Sequence, residues 1–127
     1  MSQKIVQTAG RTVPGDLSPM FAHLNDDVLF GEVWNEEVLP VKTKCIITVV
    51  ALMAQGITDS SFQHHLQNAK NNGVTKEEIA AVITHATMYC GWPKGWAVFR
   101  LAKEIWNDKG YNAVLPGDEW DSSTMYG

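Results

Sequence analysis

Val41-Lys42-Thr43-Lys44-Cys45-Ile46-Ile47-Thr48-Val49-Val50-Ala51-Leu52-Met53-Ala54-Gln55 is the stretch on which the fold turns. It is apolar almost all the way round, and Gly56 follows it where helices commonly stop. The β-branched run from Ile46 to Val50 would also suit a buried strand. Strands usually end after roughly 4–8 residues, so the length reads as a helix. A helix without a solvent face belongs at the centre of a bundle.

Working downstream, Thr58-Asp59-Ser60-Ser61 offers caps for a helix in which Phe62, Leu66 and Ala69 recur at helical spacing up to Asn72-Gly73. Thr75-Lys76-Glu77-Glu78 is a capping box that opens the next helix, whose apolar stripe is Ile79, Val82, Ile83, Ala86 and Cys90. Gly91-Trp92-Pro93 ends it. A last helix over about 93–106 is expected to bury Trp96, Phe99, Leu101, Ala102, Ile105 and Trp106 in part. Upstream, Ser18-Pro19 marks a first short helix after an irregular arm, and 31–39 reads as a turn region carrying Trp34. The expectation is a single all-α domain over 1–127: an arm at 1–17, a helical-bundle core at about 29–106 around the 41–55 helix, and a polar tail at 109–127 bearing Tyr111, Leu115 and Trp120.

Composition narrows the function. The 127 residues are 45% hydrophobic and 19% charged, ordinary globular proportions. Fourteen acidic against ten basic residues leave a net charge of −4 with no basic run, which argues against nucleic acid as a partner. The N-terminus has no apolar leader core, and the apolar run at 45–54 is too short to span a bilayer, so a cytoplasmic protein with no membrane partner is expected. Cys45 and Cys90 stand far apart inside helix-like stretches, as buried reduced thiols do.

Four pieces occur in order: Leu29-Phe30-Gly31-Glu32-Val33-Trp34; Lys44 to Leu52; His65-Leu66-x-x-Ala69-x-x-Asn72-Gly73-Val74-Thr75-x-x-Glu78-Ile79; and Tyr89-x-Gly91-x-Pro93. Together they resemble the carboxymuconolactone decarboxylase family, on its alkylhydroperoxidase-accessory-like helical scaffold. The resemblance implies a trimer or hexamer and a cofactor-free decarboxylation of a small lactone acid or related carboxylate. The family's redox branch carries Cys-x-x-Cys four residues before a His, and those places hold Thr58 and Ser61 here. That branch also has a Glu where Cys45 stands, and decarboxylase-like relatives have an Arg-Ser pair at Lys44-Cys45. The resemblance thus implies the decarboxylase-like branch, from which this chain departs at Lys44, Cys45 and Cys90.

On this basis His65, on the shoulder of its helix's apolar stripe, is the first candidate general acid, against the plain alternative of a satisfied core histidine. Lys44, at the place of the family's Arg, is the candidate anchor for a substrate carboxylate, otherwise a solvated lysine. Glu78, His85 and Tyr89 share one helix flank, so His85 is a second catalytic candidate and Tyr89 a substrate-binding one, with packing as the alternative. Trp34 and Trp92 sit at element ends, where an aromatic can wall a pocket or fill a core. A thiol-dependent peroxidase using Cys45 or Cys90 is the competing reading, and a small-acid-binding relative the third. His64 is expected in solvent, and nothing near His23 suggests a role. No spacing favours a metal, and no phosphate, flavin or nicotinamide fingerprint appears.

Overall fold

The computed structural model describes residues 4–107; the 109–127 tail lies outside the described residues. Its elements are α1 (Ala9–Thr12), α2 (Pro19–His23), a π-helical segment (Leu24–Val33), α3 (Val41–Ala54), α4 (Ser60–Asn71), α5 (Lys76–Cys90) and α6 (Trp92–Ile105), with no strand among the described residues. The all-α class expected from the sequence is what is observed. Two compact units divide between Lys44 and Cys45, inside α3. No helix among the described residues is long and apolar enough to cross a membrane.

In the first unit, the Ser18 hydroxyl accepts the Phe21 N–H at 3.1 Å and Pro19 opens α2, as the Ser-Pro pair predicts. The helix then widens. Trp34 N–H donates to the Leu29 carbonyl five residues back at 2.9 Å, and residues 31–33, expected in a turn, are helical. The Asn35 side chain explains why the wider turn ends cleanly. Its amide donates to the carbonyls of Phe30 and Gly31, both at 3.1 Å, satisfying groups that a helix end leaves open.

The same Asn35 exchanges two hydrogen bonds with Ile5, at 2.8 and 3.0 Å, so the N-terminal arm is clipped down. Farther along, the buried Asp26 carboxylate accepts the backbone N–H groups of Gly10 at 2.8 Å and Arg11 at 3.0 Å. That clasp creates α1, a turn the irregular-arm expectation lacked. Burial alone would raise the Asp26 carboxyl, but the Asn25 amide, the two backbone donors and the Arg11 charge outweigh it and hold the group below the usual carboxylate range. Gly10 fits because a Cβ there would lie 2.6 Å from Asp26 Oδ1. His23, given no role in the sequence, pairs with Asp27 at 2.9 Å.

In the second unit, Asp59 caps α4 by accepting from Ser61 N–H at 3.0 Å and Phe62 N–H at 3.3 Å. The capping box on α5 is complete: Glu78 N–H reaches Thr75 Oγ1 at 3.1 Å, and Thr75 N–H reaches Glu78 Oε1 at 2.9 Å. Only Gly91, at φ 111°, separates α5 from α6. These two helices pack on each other, with Gly95 against Thr87, where a Cβ would meet Thr87 Cγ2 at 2.7 Å. α4 packs on α6 as well, and Trp106 Nε1 donates to the Val74 carbonyl at 2.9 Å. Phe62, Leu66, Met53, Val49, Ile83, Val74 and Val98 form the fully buried core.

Two burial expectations need correction. α3 buries only the stripe Cys45, Val49 and Met53 at four-residue spacing, while Ile47 is 50% exposed and Ala51 and Ala54 face out. The helices among the described residues leave its other sides uncovered. In α6, Ala102 and the capping Trp106 are buried and Trp96, Leu101 and Ile105 half-buried, as expected, whereas Phe99 is 38% exposed.

Candidate active site

A groove of ≈ 470 Å³ lies between α3 and α5. Ile46 and Val50 form the α3 wall; on α5, Ala81, Val82 and Ala86 continue the aliphatic lining. Into this lining come three chemically active side chains, His85, Tyr89 and Cys90. Helical geometry puts them together: His85 and Tyr89 are four residues apart, so their rings stand on one flank with centroids 5.4 Å apart and planes tilted by 42°. The site thus offers two hydrogen-bonding rings beside apolar walls, the usual make-up of a small-molecule pocket. Tyr89 is 83% exposed, so the groove is open on that side.

The remaining candidates stand elsewhere. His65 is half-buried on α4 and is not among the groove's lining residues; burial, and then the neighbouring His64, hold its pKa below the usual histidine value. His64 is exposed in a separate polar groove of ≈ 340 Å³ with Gln63, Gln67 and Glu104. Trp34 is buried and stacked on Phe30, centroids 5.9 Å apart. Trp92 is 56% exposed and lines a different cleft, ≈ 290 Å³ between α5 and α6, with Met88, Trp96 and Phe99.

Lys44 is turned inward, its side chain only 11% exposed. The ammonium donates to the carbonyls of Val33 at 3.2 Å, Trp34 at 3.1 Å and Glu36, and lies 3.6 Å from the Glu36 carboxylate. An ammonium has three protons, and three carbonyls take them. In this structure the residue is a staple between the 33–36 turn and the start of α3. Cys45 is buried, its Sγ 3.8 Å from the Asn68 carbonyl, and burial pushes its thiol pKa up. Among the described residues no three His, Cys, Asp or Glu side chains come together as a metal site.

The family model described as "Carboxymuconolactone decarboxylase family" matches residues 19–104, most of the chain. This chain belongs to the carboxymuconolactone decarboxylase family. It is 35% identical over 95 residues to a 4-carboxymuconolactone decarboxylase of Acinetobacter baylyi, covering 75% of this chain and 70% of that one. It is also similar to a nitrosuccinic acid decarboxylase of Metarhizium robertsii, 30% identical over 79 residues, 62% of this chain and 54% of that one. An uncharacterized 15.0 kDa protein of Paracoccus denitrificans is 27% identical over 99 residues, 77% and 68% of the two chains.

Within this family member, the sequence singled out His85, Tyr89 and Cys90 but not the aliphatic walls that join them into a site. Ile46 and Val50 read as core because the 41–55 helix looked buried all round. Their half-buried state, and Ala81's exposed one, are outcomes of how α3 meets α5. The i, i+4 spacing of His85 and Tyr89 was the usable signal.

Proposed function

We propose that this chain is a carboxy-lyase acting on a small activated acid, with the α3–α5 groove as its site. Family membership and the two relatives named as decarboxylases support the reaction type. The observation that carries the site is the groove bringing His85 and Tyr89 together against an aliphatic lining.

The chemistry asks little of the protein. In a lactone acid of the 4-carboxymuconolactone kind, the bond to the departing carboxylate breaks and its electron pair flows through the double bond to the lactone carbonyl. In nitrosuccinic acid the nitro group would take the pair. Either way carbon dioxide leaves, an oxyanion forms, and a carbon must then gain a proton. The Tyr89 hydroxyl donates a hydrogen bond to the oxyanion. The His85 imidazole delivers the proton to carbon and is reprotonated from water.

His65, the first candidate from the sequence, becomes the second choice for the acid in this proposal. The resemblance points to it, but a histidine whose burial favours the neutral form stores a proton less readily. Turnover of 4-carboxymuconolactone followed by ultraviolet absorbance, with His85→Gln and His65→Gln side by side, separates the two. Loss of activity in His65→Gln alone would refute the groove reading.

The thiol reading keeps one foothold, because Cys90 lines the groove. Consumption of a peroxide at the expense of a dithiol, abolished by Cys90→Ser, would favour it. Tight binding of small acids with no chemistry would indicate a binding protein. Assembly belongs to the same proposal: Met88, Trp92 and Phe99 are exposed together on the α5–α6 cleft, and Ile47 on α3, as in chains that associate into trimers or hexamers.

A further inference from the structure

The α5–α6 cleft, ≈ 290 Å³, is a cavity that the decarboxylase reading leaves unused. Met88, Trp92, Trp96 and Phe99 wall it, completed by Thr84, Thr87 and Gly95. Met88 is 61% exposed and Trp92 56%, so large apolar side chains meet water around one depression, and an apolar group that covers them is held there. Its volume is at the lower edge of small-molecule sites, about 300–1,000 Å³, and suits a single anchoring side chain.

The cleft has a basic approach. Arg100 and Lys103 follow Trp96 and Phe99 by one helical turn each, on the same side of α6, between the cleft and the end of the helix. The Arg100 guanidinium carbon lies 5.7 Å from the centre of the Trp96 ring. The acid of this helix, Glu104, belongs to the other groove, with His64 and Gln67. Beyond Asn107 the sequence carries the opposite pattern: Asp118-Glu119-Trp120-Asp121, a large aromatic among three acids, placed after Pro116-Gly117, a pair that favours a turn. Length permits the match. Trp120 is thirteen residues past Asn107, a span of up to about 43 Å when extended. The helix it must run back along, from Trp106 to Phe99, measures only about 10 Å, and to Trp92 about 21 Å.

We propose that the segment Asp118–Asp121 docks on the α5–α6 cleft of its own chain, with Trp120 among Met88, Trp92 and Phe99 and its acids toward Arg100 and Lys103. The tether decides for the same chain over a second copy. A group linked this closely meets its site at an effective concentration on the order of millimolar, above that of separate copies in dilute solution. The inference does not rest on the decarboxylase reading. With the segment seated there, association of copies rests on apolar side chains outside the cleft, Ile47 among them.

The test uses the full-length protein and a Glu-specific protease, following the cut after Glu119 by mass. Trp92→Lys should speed that cut about ten-fold, because a docked segment is cleaved only when it leaves its site. Arg100→Gln with Lys103→Gln should speed it less, and Ile47→Lys, away from the cleft, should not change it. In protein labelled with methyl-¹³C methionine, the Met88 methyl, identified by its loss in Met88→Leu, should show a nuclear Overhauser contact to the Trp120 ring. That contact decides even where a variant does not fold. Equal cutting in wild type and Trp92→Lys, with no Met88–Trp120 contact, overturns the proposal. A fall in mass by light scattering in Trp120→Ala, with the contact fading on dilution, overturns it in favour of the segment of a second copy. A fall in mass in Trp92→Lys with cutting unchanged overturns it in favour of another surface of a second copy.

Discussion

At the scale of single residues, the contrast between the two histidines is the most direct test. His85→Gln should lower kcat/KM by about 10²–10⁴-fold with an unchanged circular dichroism spectrum, as removal of a proton-transfer group does. Tyr89→Phe keeps the ring contact and deletes the donor, and a loss of about 10²-fold in kcat with KM little changed is expected. His65 makes a different prediction, about stability. Its pKa in the folded chain lies below that of an unfolded histidine, first because of burial and then because of His64. Below about pH 6.5 the unfolded state therefore binds more protons than the folded one, so stability present above that range is lost as pH falls. Denaturant midpoints from pH 7.5 down to 5 should decline in the wild type and decline less in His65→Gln.

At the scale of elements, local chemistry explains most helix ends. The Thr75–Glu78 box is complete, and Thr75→Ala should cost about 1 kcal/mol, read as a melting temperature a few degrees lower. α1 has a different dependence, because a four-residue turn has no stability of its own and hangs on Asp26. Asp26→Ala should expose residues 5–17 to limited proteolysis while the α3–α6 circular dichroism signal persists. Acid should do the same to the wild type: Asp26 titrates below an unfolded carboxyl, so its support holds above the ordinary carboxylate range and disappears as pH falls through its depressed value. These ends were legible because capping motifs are local. The π-helical segment was not, since Asn35, five residues past Phe30, shows no periodicity that a sequence reading could use.

At the scale of the whole molecule, exposed apolar surface is the unresolved demand of the chain. Ile47, Met88, Trp92 and Phe99 stay in the open, and light scattering should give a small multiple of 14.1 kDa. Trp92→Lys should shift that mass toward one copy if the α5–α6 cleft takes part. The site's legibility follows the same division. His85 and Tyr89 were paired as candidates by their spacing along one helix and Cys90 was singled out as a thiol, while Lys44's inward staple and the groove's aliphatic walls depend on neighbours many residues away.

What the sequence by itself determined is the helical class, the boundaries of α3 to α6, and the family, because capping residues, apolar periodicity and an ordered set of short motifs are all local or collinear properties. Only the tertiary structure decided which face of α3 is buried, that Lys44 holds a turn, that Asp26 holds the N-terminal arm, and that His85 rather than His65 shares a groove with Tyr89. The physical reason is that burial and hydrogen-bond partnership are set by packing. A helix with apolar residues on every side does not itself specify which of them will be covered.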